Sequence, residues 1–187
     1  MSKRKIAIAN KRRGRAYQAK LAELARGVNI GTLGGEDISH EEFSYEAKTY
    51  NIKAKSNKNK PWMGEYYLSY VDGGYARHRF GILLLVSEHF SDLILLRWHW
   101  WSKLIETKFK EEFPYMTNLY IQRMTNIKPV VKFIGNTYMN QAEKNCPDGK
   151  LPVVSVHTTG RRYEQDIIII RKIYWDSLIE RVFPKEE

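Results

Sequence analysis

Asp37, Glu46 and Lys48 are the residues whose types and spacing best suit chemistry. Read as a strand, EEFSYEAKTY (residues 41–50) alternates, so that Phe43, Tyr45 and Ala47 turn one way and Ser44, Glu46 and Lys48 the other. Asp37 ends an earlier glycine-rich, branched segment, VNIGTLGGEDI. A tight connection through Ser39–Glu42 would make the two segments antiparallel neighbours and bring both carboxylates together. The main-chain carbonyl of Ala47 offers a third oxygen, and Lys48, two residues from Glu46, shares its face. Such a set suits phosphodiester hydrolysis. That reaction needs a cation to polarise the phosphate and to lower the pKa of the attacking water. Magnesium takes hard oxygen ligands, commonly one or two carboxylates. A lysine beside them can orient the water or stabilise charge developing on the phosphate. An isolated Glu-x-Lys is more often a solvent-facing ion pair, so the pattern draws its weight from its setting.

Charge is part of that setting. The chain of 187 residues carries a formal charge of +10. Residues 1–26 hold nine Lys or Arg against Glu23, a segment charge of +8, whereas residues 27–51 sum to −4. An acidic patch inside a basic chain fits a cation site facing a polyanion, with Lys11, Arg12, Arg13 and Arg15 as phosphate contacts. A basic arm followed by an acidic surface loop explains the charges equally well. Arg161 and Arg162, in a loop between two strand-like runs, suit phosphate contact too, and a solvated hairpin serves them equally well. Cys146 is the single cysteine, which excludes an internal disulfide and a thiolate zinc cluster and fits a reducing compartment. The apolar runs are too short to span a membrane and none has secretory length. The expectation is a soluble, cytoplasmic protein.

The elements that must position these residues follow from periodicity. Residues 11–26 read as a helix with Tyr17, Leu21 and Leu24 on one side, stopped by Gly27 and preceded by a basic tail, 1–10. KAKSNKNKP (53–61) is a polar break. Beyond it the chain repeats itself. DLILLRWHWWSKLIE (Asp92–Glu106) and DIIIIRKIYWDSLIE (Asp166–Glu180) share seven of fifteen positions at an offset of 74. Each follows a strand-like run, FGILLLV (80–86) or LPVVSVH (151–157), and a helix-like stretch, WMGEYYLSY (62–70) or YMNQAEKN (138–145). Helix, strand, strand, helix thus occurs twice, which reads as a duplication. As strand residues, Trp98 and Trp100 would share a face, suited to sheet packing or a dimer contact more than to stacking of unpaired bases.

The blocks KRRGRAYQAKLAELARG and VNIGTLGGEDISHEEFSYEAK, joined later by QAEKN, GK-P-VV and DIIIIR, resemble the archaeal-type and phage Holliday-junction resolvases of the PD-(D/E)xK nuclease superfamily. The resemblance covers residues 11–50 and 130–172, about half the chain. It implies an α/β fold with a mixed central sheet flanked by helices. It implies a single nuclease domain over 1–187, with its core at about 11–51 and 130–180 and a duplicated helix–strand–strand–helix unit inserted at about 52–129. The family's proline-aspartate pair is matched by Glu36-Asp37, and its acid-x-lysine by Glu46 and Lys48. Asp37, Glu46 and Ala47 would hold Mg²⁺, with Mn²⁺ as a substitute. Where the family often has a glutamate in the first helix, Gln18 stands here, and QAEK places Gln141 near the site. The implied activity is paired phosphodiester hydrolysis of a four-way DNA junction by a homodimer. Rival expectations are a nuclease of the same superfamily acting on ends, flaps or restriction-type sites, and a non-catalytic basic DNA-binding protein.

Overall fold

Two runs of consecutive apolar residues, Leu93–Leu96 and Ile167–Ile170, lie side by side in the middle of the molecule. Unbroken apolar strands need cover on both faces, because alternate side chains point to opposite sides. The computed structural model of the chain, which describes residues 3–31, 35–41, 43–50, 68, 81–86, 91–106, 120–124 and 134–182, supplies that cover with helices on both faces. In chain order the elements are α1 (Lys3–Leu24), β1 (Val28–Asn29), β2 (Ile38–Ser39), β3 (Phe43–Tyr50), β4 (Gly81–Leu85), β5 (Leu93–Arg97) and α2 (Trp98–Glu106). They continue with β6 (Tyr120–Met124), α3 (Ile134–Asn145), β7 (Leu151–Thr158), a 3-10 turn (Tyr163–Gln165), β8 (Ile167–Arg171) and α4 (Lys172–Val182). The fold is α/β, with one mixed eight-stranded sheet in the order β1-β2-β3-β7-β8-β5-β4-β6. The β3–β7 and β4–β6 pairs are parallel, and the other neighbours are antiparallel.

On one face Tyr17 and Leu21 of α1, Trp101 and Leu104 of α2, and Trp175 and Leu178 of α4 pack over Phe43, Tyr45, Ile94, Leu96, Val153, Ile168 and Ile170. On the other, Met139 and Ala142 of α3 and the helical Leu68 cover Leu83, Leu93, Leu95, Val154, Val156, Ile167 and Ile169. The later repeat copy therefore pairs with β3, through β7, and the earlier copy extends the sheet beyond β8. The polar break at 53–61, most of the expected helix at 62–70, and Glu65 lie outside the described residues. No described helix is long and apolar enough to cross a membrane.

Three expectations change. Residues 3–10 are not a tail, because KRKIAIAN continues α1 without a breaking residue and stays exposed. The helix ends on Arg26, which takes the left-handed conformation at φ 53°. Gly27 N–H donates to Ala22 C=O at 2.9 Å and Arg26 N–H to Glu23 C=O at 3.3 Å, the paired bonds of a Schellman end. Gly27 is needed for room, since a Cβ there would meet Ile38 Cγ2 at 2.6 Å and Ser39 O at 2.7 Å. Trp98 and Trp100 are helical rather than strand residues: β5 stops at Arg97, and Trp98 N–H donates to Asp166 C=O at 2.8 Å. The alternation of Trp98, His99 and Trp100 imitates a strand over three residues, too short a stretch to reveal the switch to a helix. All three of Trp98, Trp100 and Trp101 are buried in the core of this one chain.

Candidate active site

Asp37 is set by the backbone on both sides: its N–H donates to Tyr45 C=O at 3.1 Å, and its C=O accepts from Ile30 N–H at 3.0 Å. Beyond it β2 pairs with β3 through Ile38↔Tyr45 and Ser39↔Ser44, the antiparallel neighbourhood expected from the short connection. Both carboxylate oxygens of Asp37 are held. Gln18 Nε2 of α1 donates to Oδ1 at 2.6 Å, and Ala47 N–H of β3 donates to Oδ2 at 2.9 Å. Gly31 leaves room for the Gln18–Asp37 bond, since a Cβ there would come within 2.9 Å of Gln18 Nε2 and 3.0 Å of Asp37 Oδ1.

Glu46 lies on the α3 face of β3, opposite Val154, with only 3% of its surface exposed. Its Oε1 is ion-paired with Lys48 Nζ, and Asn145 Nδ2 of α3 reaches Oε2 at 3.5 Å. The Lys48 ammonium lies 5.7 Å from the centre of the Tyr138 ring, also on α3, where the ring face attracts the cation. Burial, and then the nearby Glu46 charge, push the Asp37 carboxyl above its ordinary value, against the opposing pull of Ala47 N–H, Lys48 and Gln18. A carboxyl whose ionisation is disfavoured by burial and by a neighbouring acid is one that a divalent cation would relieve.

The donor set fits such a cation. It consists of Asp37, Glu46 and the Ala47 carbonyl, which points to the same side of β3 as the Ala47 N–H and so toward Asp37. All three are hard oxygens, suited to Mg²⁺ rather than to a soft metal. Among the described residues no group of three or more His, Cys, Asp and Glu side chains gathers to hold a metal.

The residues expected at the site arrive unequally. Asp37, Glu46, Ala47 and Lys48 come together. Gln141 is exposed on α3, between Tyr138 and Asn145 on one helical stripe, and so lies along the rim. Tyr138 and Asn145 themselves were not anticipated, although their seven-residue separation on either side of Gln141 was a usable signal. Nor was Lys150, which bridges buried Glu36 at 3.2 Å and also bonds Ser39, tying the loop after α3 to β2. Lys11, Arg12, Arg13 and Arg15 are exposed on α1, as are Arg161 and Arg162 after β7. Tyr163, next to Arg162, stacks on Tyr17 of α1 at 6.3 Å and lies under Lys20, so the turn after β7 packs on α1. Against known proteins, no family model, curated protein or solved structure matches this chain.

Proposed function

We propose that this chain is a magnesium-dependent endonuclease that hydrolyses phosphodiester bonds in branched DNA, with the four-way junction as its preferred substrate. The observation that carries the reading is the Asp37–Glu46 pair, held on β2 and β3 beside the Ala47 carbonyl with Lys48 in contact. Magnesium, or manganese in its place, polarises the phosphate and lowers the pKa of water when bound. Asp37, Glu46 and the Ala47 carbonyl would hold the ion, and Gln18 and Asn145 orient the two carboxylates. Lys48 steers the attacking water and balances charge building on the phosphate oxygens. The water oxygen bonds to phosphorus as one phosphorus–oxygen ester bond breaks, the water giving up a proton and the leaving oxygen taking one. The exposed bases of α1 and of the β7–β8 turn supply sequence-independent affinity for the DNA backbone.

Cleavage of a labelled four-way junction, a flap and a linear duplex, each with and without magnesium, tests this. The expected result is magnesium-dependent cutting, fastest on the junction. Equal rates on linear duplex would replace the substrate with DNA in general. Tight binding without cutting in either metal would make the chain a DNA-binding protein.

A further inference from the structure

The two repeat copies do more than resemble each other in sequence; they meet. β5 and β8 pair antiparallel with Leu95 opposite Ile169, and these residues are equivalents at the offset of 74. Every other pair is mirrored about that point: Leu93↔Arg171 answers Arg97↔Ile167, and Ile94↔Ile170 answers Leu96↔Ile168. The backbone bonds at the two ends of the seam are mirrored as well. Trp98 N–H donates to Asp166 C=O at 2.8 Å, and Lys172 N–H donates to Asp92 C=O at 2.9 Å. A twofold dimer makes this kind of contact, in which residue i meets j and j meets i. Here it is made within one chain.

The correspondence continues outward. β4 flanks β5 as β7 flanks β8, and each then pairs in parallel with an outer strand, β6 or β3. Helices α2 and α4, each following its seam strand, pack their equivalent Trp101 and Trp175, and Leu104 and Leu178, into the same core layer. An axis normal to the sheet at Leu95 and Ile169 relates the halves, since it keeps both helices on one face. Counted from that axis, Leu83 corresponds to Val154. The next strand then places Gln122 at the register position of Glu46, and Met124 at that of Lys48. At these two register positions β6 therefore has neither the acid nor the lysine of β3.

We propose that the chain is a one-site pseudo-dimer: a single copy binds a two-fold-symmetric branched DNA across the β5–β8 seam and hydrolyses one strand, without a second copy. The β3 half cuts. This rests on the nuclease reading for the cut, but not for the number of chains. The twofold contact is already made inside the chain and is buried there, with Leu95, Leu96, Ile168 and Ile169 wholly inaccessible.

The test uses the full chain and a synthetic four-way junction. Sedimentation in calcium, which needs no cleavage, should show a monomer of 22.1 kDa free in solution and one chain per junction when bound. With magnesium, a supercoiled plasmid extruding a cruciform should turn first into nicked circles, with linear product appearing only as a later, enzyme-concentration-dependent event. In mixtures with Glu46→Gln, the nicking rate should fall in simple proportion to the wild-type fraction. Two chains per junction, or linear product formed in a single binding event, would overturn the proposal. If no DNA is cut at all, the nuclease reading and the single nick fall together, and the mass in calcium still decides the one-chain claim.

Discussion

The two halves of the sheet share a scaffold and differ in chemistry. In the β3–β7–β8 half the outer strand carries Glu46 and Lys48, and β1, β2 and α1 close over its edge to deliver Asp37 and Gln18. In the β6–β4–β5 half the corresponding strand offers Gln122 and Met124. Between them the seam strands are almost interchangeable. The difference teaches that apolar burial is easily repeated, because any well-packed Leu or Ile fills the layer. A metal site depends on polar groups brought from several elements at once, and losing one of them removes the function.

The equivalent seam residues have also diverged in their polar partners. Arg171 is held by Glu143 at 2.7 and 2.9 Å and by Asn136 at 3.2 Å, all from α3, which also lines the site. Arg97, its counterpart, donates to the Gln165 carbonyl at 2.7 Å. Asp166 is buried and bonded to His157 at 2.7 Å, while Asp92 is only half-buried. Each buried charge thus has its own polar companions, as buried charges require.

The largest effect that would sharpen the comparison is at the acids. Asp37→Asn or Glu46→Gln should lower the cleavage rate by about a thousandfold, the scale of several kcal/mol of lost charge stabilisation, while junction binding persists. Undiminished cutting by either variant would move the site elsewhere. Asp37→Asn should behave differently in folding. Burial and Glu46 raise the Asp37 carboxyl above its ordinary 3.8, so the folded chain holds that proton more tightly than the unfolded chain. Stability from this group is therefore complete at low pH and lost as pH rises through the folded value. The metal-free variant should melt at a higher temperature than wild type near pH 7, and the gap should close on acidification toward pH 4. A variant that melts lower at neutral pH would show that the hydrogen bonds to Asp37 outweigh its burial.

Next come the equivalent tryptophans. Trp101 is fully buried and its Nε1 donates to Tyr45 OH at 3.1 Å, directly beneath the site strand. Trp101→Ala should cost about 3–5 kcal/mol in denaturant unfolding, and Trp175→Ala less. Equal losses would mean that the halves contribute alike to stability, despite their different chemistry.

A smaller effect is expected at Gln18. Glu in its place removes the donor to Asp37 Oδ1 and adds a third carboxylate. Gln18→Glu should tighten magnesium binding about tenfold, read by titration calorimetry, and lower the metal-free melting temperature. Unchanged magnesium affinity would place position 18 outside the ion's surroundings.

The smallest effect on rate belongs to the basic surface. Neutralising Lys11, Arg12, Arg13 and Arg15 together should weaken binding to every DNA shape and reduce the slope of log affinity against log salt by up to about 0.9 per lost contact. The same slope in the variant would remove α1 from the DNA interface.

The sequence by itself determined the local part of the site and the repeated part of the fold. Alternation in β3 put Glu46 and Lys48 on one face and Phe43 and Tyr45 on the other, because a strand's period of two leaves no other arrangement. The short link after β2 implied an antiparallel neighbour, and with it the meeting of Asp37 and Ala47. The two copies were visible because an offset of 74 survives in their apolar, Arg, Trp and Leu-Ile-Glu positions. What only the tertiary structure decided was which polar groups from remote elements complete each side chain's surroundings. Lys150 on Glu36, Asn145 beside Glu46 and Tyr138 under Lys48 come from positions about a hundred residues away, where no local period constrains them. The strand-to-helix switch at Trp98 was likewise hidden, since the alternation of Trp98, His99 and Trp100 imitates a strand over too few residues to fix a period. Its direction is set by the hydrogen bond from Trp98 to Asp166 in the opposite copy, and by the core that buries Trp101. Pairing of the two copies with each other follows from the same cause: an apolar strand is stable only beside a neighbour that completes its hydrogen bonds, and in this chain each copy is that neighbour for the other.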